Sequence, residues 1–247
     1  MKALETGAEK IRGPGFTLIE FLLILALFLI LAFLLFPANP PGRCGHTKIG
    51  QSKLEMMQLS ASIKAYESTY THLPTGTNLA AASDITFGPF AEGYIEYHSE
   101  RMFQVTDNSE IISILMNKAA IHGNQSSKIE NNPLNPQNLI FLNQKLVADN
   151  KSPGVGPDGV YRDPWGNPYI ITLDTDGDGW CRDAFYSRPS VSAGQNNKSI
   201  IVGLEKRPSG CFEFQGRTMI WSFGPDGKAD PNKKADQGFN KDNVVCW

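Results

Sequence analysis

The chain is poor in reactive chemistry. It holds 4 His and 4 Cys, with no Cys-x-x-Cys pair and no Cys/His spacing of the zinc type. There is no Gly-x-Ser-x-Gly elbow and no His-Glu-x-x-His. His46, His72, His98 and His122 are scattered and belong to no nucleophile–base arrangement. Two Gly-Pro-Asp-Gly tetrapeptides, at Gly156 and Gly224, lack the Gly-Lys-Ser/Thr that makes a phosphate cradle and read as repeated turn chemistry. No catalytic residue is assigned, and the chain is not expected to be an enzyme. Excess charge is also absent. There are 23 basic against 25 acidic residues, well mixed, and no basic stripe calls for a nucleic-acid partner. One absence is local: no charged residue occurs from Phe21 to Gly42.

That gap contains the main positive signal. Phe21 to Phe36 is sixteen residues without charge or amide, and back to Phe16 the apolar stretch is 21 residues broken only by Glu20. As a helix it would reach roughly 32 Å, against about 30 Å for a bilayer core. A carboxylate inside such a run costs a few kcal/mol (~3) unless it is paired. Before the run stands a polar leader, Met1 to Gly15, with Lys2, Lys10 and Arg12 against Glu5 and Glu9. This weak positive excess favours a cytoplasmic N-terminus with the rest outside. An ordinary secretory signal would place its small-residue cut after the apolar core; here the obvious site precedes it.

The sequence Gly15-Phe16-Thr17-Leu18-Ile19-Glu20 resembles the class III signal of type IV prepilins and type II secretion pseudopilins. The resemblance implies processing by a prepilin peptidase after Gly15, N-methylation of Phe16, and an assembly role for Glu20, whose carboxylate would neutralise the new ammonium of a neighbouring subunit. It also implies partners: other copies of the chain, minor pseudopilins, the prepilin peptidase and an inner-membrane assembly platform. The expected location is the bacterial inner membrane, single-pass, with a periplasmic or extracytoplasmic C-terminal domain.

Beyond the run, roughly 205 residues suffice for one domain with a real core. Three prolines and a glycine between Pro37 and Gly42 argue for a break, so residues 37–47 read as a hinge. This departs from the uninterrupted helix common among pilin-like proteins. From Lys48 to Tyr70 the spacing of Ile49, Met56, Leu59, Ile63, Tyr66 and Tyr70 predicts a helix with one face on a sheet. The stretch Tyr66 to Thr75 resembles the tyrosine-to-proline exit of pseudopilin helices. Residues 76–157 exceed what a minimal pseudopilin needs and read as an insertion or variable region. It contains a predicted helix with capping-box spacing at Asp107 and Glu110, followed by Ile111, Leu115 and Ala119.

Three apolar runs, at 169–173, 199–202 and 218–222, have strand composition. Asp163-Pro164-Trp165-Gly166-Asn167-Pro168-Tyr169 resembles a stretch of the major pseudopilin of type II secretion, as a turn feeding a strand with Trp165 in the core. Trp221 to Gly227 and Asp242 to Trp247 resemble that family's Ser-x-Gly-Pro-Asp-Gly turn and its acidic C-terminal ending, with Asn243 in place of a second aspartate. Cys44, Cys181, Cys211 and Cys246 all follow the apolar run, so two disulfides with three possible connectivities are expected; the glycine-rich settings of the last three favour a tie in the C-terminal half.

Calcium is the expected ion, since oxygen ligands suit it better than zinc. Two loops compete for it. Asp174-Thr175-Asp176-Gly177-Asp178-Gly179 places Asp174, Asp176 and Asp178 at positions 1, 3 and 5 of an EF-hand-like start, but position 12 is Phe185. The resemblance favours the terminal loop instead, with Asp242 and Asp226 as its best matches.

The expected fold is α+β: a leader (1–15), an N-terminal transmembrane helix (16–36), a hinge (37–47), and a globular domain (48–247) in which a soluble helix packs on a small antiparallel sheet with long loops. The resemblance implies a structural subunit of a type II secretion or related type IV pilus-like envelope filament. A minor type IV pilin acting in adhesion or DNA uptake is the alternative, and a membrane-tethered enzyme a distant one.

Overall fold

The computed structural model describes residues 17–35, 43–76, 83–89, 93–97, 100–105, 107–118 and 132–247. The chain divides into two units, Met1–Arg43 and Cys44–Trp247.

The described part of the first unit is helix α1, Leu18–Leu35. Thr17 and Glu20 cap it reciprocally. The Thr17 amide and hydroxyl both donate to Glu20 Oε2 at 2.9 Å, and the Glu20 amide donates to Thr17 Oγ1 at 3.4 Å. Its apolar side chains point outward on every side, from Leu18 at 81% exposed to Leu31 at 49%. Its eighteen described residues rise about 27 Å, and one of the first turn is an acid. Among the described residues no helix is long and apolar enough to cross a membrane. This corrects the transmembrane helix in the expected fold class and the expected single-pass inner-membrane placement.

The second unit is α+β. Helix α2 (Arg43–Tyr70) begins inside the segment read as a hinge. Thr71, at φ 65°, turns the chain out of it, and Pro74 prevents its resumption. Strands β1 (Ile85–Phe87), β2 (Gly93–Tyr97) and β3 (Glu100–Val105) lead to helix α3 (Ser109–Leu115). Strands β4 (Gly154–Val155), β5 (Tyr161–Arg162), β6 (Ile170–Leu173) and β7 (Trp180–Cys181) follow, then the one-turn helix α4 (Pro189–Ser192). Strands β8 (Leu204–Lys206), β9 (Phe212–Gln215), β10 (Thr218–Ser222) and β11 (Val244–Cys246) complete the chain.

The main sheet has the order β11-β10-β6-β1-β3-β2. It is antiparallel except for β1 and β3, which run parallel. β7, β9 and β8 form a second, antiparallel sheet. Side chains alternate along the central strands, and both faces are buried. Ile171, Leu173 and Ile220 join one core with Met56, Leu59, Ile63 and Tyr66 of α2, while Ile170, Met219 and Trp221 join another with Phe185, Tyr186 and Phe212. The predicted stripe of α2 therefore faces the sheet, and those four residues are fully buried. Tyr66 and Tyr70 also tie the helix to the irregular 132–142 segment. Tyr66 donates its hydroxyl to the Leu134 carbonyl at 2.6 Å and Tyr70 to Asn135 Oδ1 at 2.7 Å.

Three details differ from expectation. α3 stops at Leu115, because Asn117 adopts φ 51° and the Met116 to Lys118 amides turn back onto the helix's last carbonyls. The run 199–202 is not a strand; it makes one bridge, Ser199 to Ala193, and leads into turns, with Val202 at 92% exposed, and the ladder starts at Leu204. Residues 76–157 supply β1, which lies between β6 and β3 inside the sheet rather than outside the fold.

Candidate functional site

Gly15 and Phe16, the expected processing pair, lie outside the described residues. Glu20 stands in the first turn of α1, where the Thr17 amide and then the Thr17 hydroxyl hold its carboxyl below the usual glutamate range. Among the described residues its partner is thus its own helix terminus.

The principal cluster of ionisable groups sits where β1 begins and β6 ends. β1 and β6 pair antiparallel with Ile85 opposite Leu173. One step outward, the same register sets Asp84 across from Asp174. The Thr-Asp-Gly turn after Asp174 then brings Asp176 back, and one carboxylate oxygen from each of Asp84, Asp174 and Asp176 lies within 4.8 Å of the others. Asp174 is fully buried and holds the turn in shape. Its Oδ1 accepts from the Gly177 amide at 2.8 Å, and its Oδ2 from the Gly179 amide at 3.0 Å and from the Arg217 guanidinium at 2.7 Å. The same guanidinium pairs with Glu67 of α2. Thr175 donates to the Ser83 carbonyl, and the Arg182 amide donates to Asp84 Oδ2, so the loop is bound to the β1 entry from both sides.

Crowding shows in the protonation of the group. Burial pushes the Asp84 carboxyl up to about 8; the Arg182 amide opposes this, and the charges of Asp176 and Asp174 add to it. Asp176 is raised as well, first by burial and then, against its bond from the Asp178 amide, by its approach to Asp174. An all-oxygen donor set of this kind suits a hard divalent cation.

Asp178, the third carboxylate of the expected loop site, is not in this group. It is exposed and accepts from the Trp180 amide at 2.7 Å, acting as a turn residue. Asp84 takes its place. The local sequence Asp84-Ile85-Thr86-Phe87, an acid heading a β-branched run, was the available signal; its meaning depends on a strand partner 86 residues further on, Thr172 for Thr86.

The other expected loop behaves differently. Asp226 and Asp242 are near enough that, after burial, the Asp226 charge is the next cause raising Asp242. Asp230 accepts from the Asn232 amide within its own turn. Among the described residues no third His, Cys, Asp or Glu closes on the Asp226–Asp242 pair. What this corner does show is that three motifs singled out in the sequence meet. Asp163 Oδ1 accepts from the Trp165 and Asn167 amides at 2.8 and 2.9 Å, and Ser222 donates its hydroxyl to Asp163 Oδ2. Asn167 donates to the Gly224 carbonyl at 2.7 Å, and Gly224 lies against the Asp242 carbonyl. Trp165 is half-buried against the α2-side core. Asp163, fully buried, is a turn anchor.

Cys181, Cys211 and Cys246 are free thiols, the first two buried. No disulfide joins them, which departs from the expected tie in the C-terminal half: Cys181 lies on β7, Cys211 precedes β9, and Cys246 is on β11 at the edge of the other sheet. The Cys44 side chain lies outside the described residues.

Comparison with protein-family models, curated proteins and solved structures gives no match.

Proposed function

We propose that the chain is a pseudopilin-like structural subunit of a type II secretion or related type IV pilus-like filament, matured by a prepilin peptidase between Gly15 and Phe16. The observation that carries the reading is α1. It is a helix apolar on all sides, with Glu20 in its first turn, and among the described residues of its unit none covers its side chains from Leu18 to Leu31. Burying such a surface is worth about 25 cal/mol per Å², and the same helix on neighbouring copies is a complementary cover. In that setting the Phe16 ammonium of one copy meets Glu20 of the next, and Thr17 keeps the carboxylate ionised and oriented until it does. The contiguity of the three C-terminal motifs supports the same reading, because they resemble one family's sequence and form one corner of the fold.

The reading is tested at the N-terminus and in the assembly. Mass spectrometry of the mature protein should find a chain starting at N-methylated Phe16. Glu20→Ala should leave processing intact and lower the yield of crosslinked multimers at least tenfold. A mature chain that retains Met1, or a Glu20→Ala variant that crosslinks like wild type, would overturn the proposal.

A further inference from the structure

We infer that Asp84, Asp174 and Asp176 form a calcium site that fastens the β6–β7 loop to the start of β1. Three observations lead there. The antiparallel register sets Asp84 and Asp174 opposite each other at the open end of the β1–β6 pair, and the loop returns Asp176 to them, with the three oxygens within 4.8 Å. The backbone holds two of them there, Asp174 through the Gly177 and Gly179 amides and Asp84 through the Arg182 amide. The third observation is independent of the acidity. Asp84 is 5% exposed, and its Oδ1 is buried with no hydrogen-bond partner. A buried carboxylate oxygen without a donor costs free energy that a bound cation would recover.

The surrounding positive charge gives that oxygen no hydrogen bond, although the Arg182 charge still favours the ionised form of Asp84. Arg217 bonds to Asp174 and shares its charge with Glu67. The Arg182 guanidinium is paired with Glu213, and Asp84 Oδ1 stays without a donor. A calcium ion takes 6–8 oxygen ligands at about 2.3–2.6 Å and tolerates irregular geometry, so three carboxylates with water on the exposed Asp176 side suit it better than magnesium, which demands a near-ideal octahedron. The site is not an EF-hand. Asp178 is turned away, Phe185 at position 12 is buried in the core, and a ligand comes from the residue just before β1, 90 residues earlier in the chain, Asp84 to Asp174.

The test uses the full chain in detergent, with calcium or a chelator. At a calcium concentration about 100-fold above Kd, one site specific to the folded state should raise Tm by about 5–10 °C for a domain of this size. Asp84→Asn keeps an oxygen for the Arg182 amide yet removes the charge, and it should abolish the calcium-dependent part of the shift. Asp176→Asn, at an exposed position that carries no core contact, should do the same and serves if Asp84→Asn fails to fold. Asp226→Asn should leave the shift intact. Calorimetric titration of wild type with calcium should give one ion per chain. No calcium shift in wild type, a shift that survives Asp176→Asn, or one lost in Asp226→Asn would each overturn the assignment. Filament assembly plays no part in these readouts, so they stand apart from the proposed function.

Discussion

Replacing Gly224 by alanine tests whether the corner built from three sequence motifs depends on a close backbone approach. Gly224 has φ 70°, and a Cβ there would sit 2.1 Å from the Asp242 carbonyl oxygen and 3.0 Å from its carbon. Gly210 is a built-in control, with φ 91° and nothing within 4 Å of the place its Cβ would take. Alanine in the left-handed region costs about 1–2 kcal/mol at either site. At Gly224 the added carbon meets main chain, which has no rotamer to yield, so an overpacking cost of about 1–3 kcal/mol is added. Gly224→Ala should therefore lose about 2–5 kcal/mol and Gly210→Ala about 1–2 kcal/mol. Urea denaturation of both variants, read by Trp fluorescence, measures the difference directly. If the two costs agree within about 0.5 kcal/mol, the close approach carries no energy and the reasoning fails.

Other expectations follow from burial and protonation. Ile63→Ala, at a fully buried position of α2, should cost about 2–5 kcal/mol, whereas Leu54→Ala, 63% exposed on the same helix, should stay within about 0.5 kcal/mol of wild type; equal losses would contradict the assignment of the packed face. In chelator, stability should fall as pH rises from about 4 to about 8. Asp84 has its folded value raised to about 8, so its contribution is complete below its ordinary carboxylate value and is lost as pH climbs through the raised one. Asp84→Asn should flatten that decline, and an unchanged pH profile would refute it. Cys181, fully buried and with its thiol raised first by that burial, should resist alkylation in the native protein while the half-buried Cys246 labels faster than it; peptide mapping that finds the reverse order of these two would contradict the thiol environments described.

Much of the α2 side of the fold was legible in the sequence, because its information is local. Six apolar residues at helical spacing identify both the helix and its buried face, and Tyr169-Ile170-Ile171 and Met219-Ile220-Trp221 identify strands by composition. The run 199–202 has the same composition and is not a strand, since nothing in Ser-Ile-Ile-Val distinguishes a segment that finds a ladder from one that ends in a turn at Gly203. β1 was missed for the opposite reason. Ile85-Thr86-Phe87 is too short to show a period, yet it lies inside the sheet because β6 and β3 flank it. The acidic cluster inherits that difficulty: Asp174 and Asp176 are visible as a loop motif, but Asp84 becomes their partner only through the β1–β6 register. Thr17-Leu18-Ile19-Glu20 also has capping-box spacing, and its reciprocal bonds form in the first turn of α1.

The placement of β1 also sets an order of events during synthesis. Its antiparallel neighbour β6 begins at Ile170 and ends at Leu173, opposite Ile85. At about 5–20 residues per second the ribosome needs roughly 4–18 s to make the chain between them. Until then Ile-Thr-Phe has no β6 edge to bond, and α2 has no completed sheet to cover. Closing a loop of that length before any contact rewards it slows folding. The nascent chain therefore passes through a period of several seconds in which β1 lacks one of its neighbours and α2 lacks part of its cover.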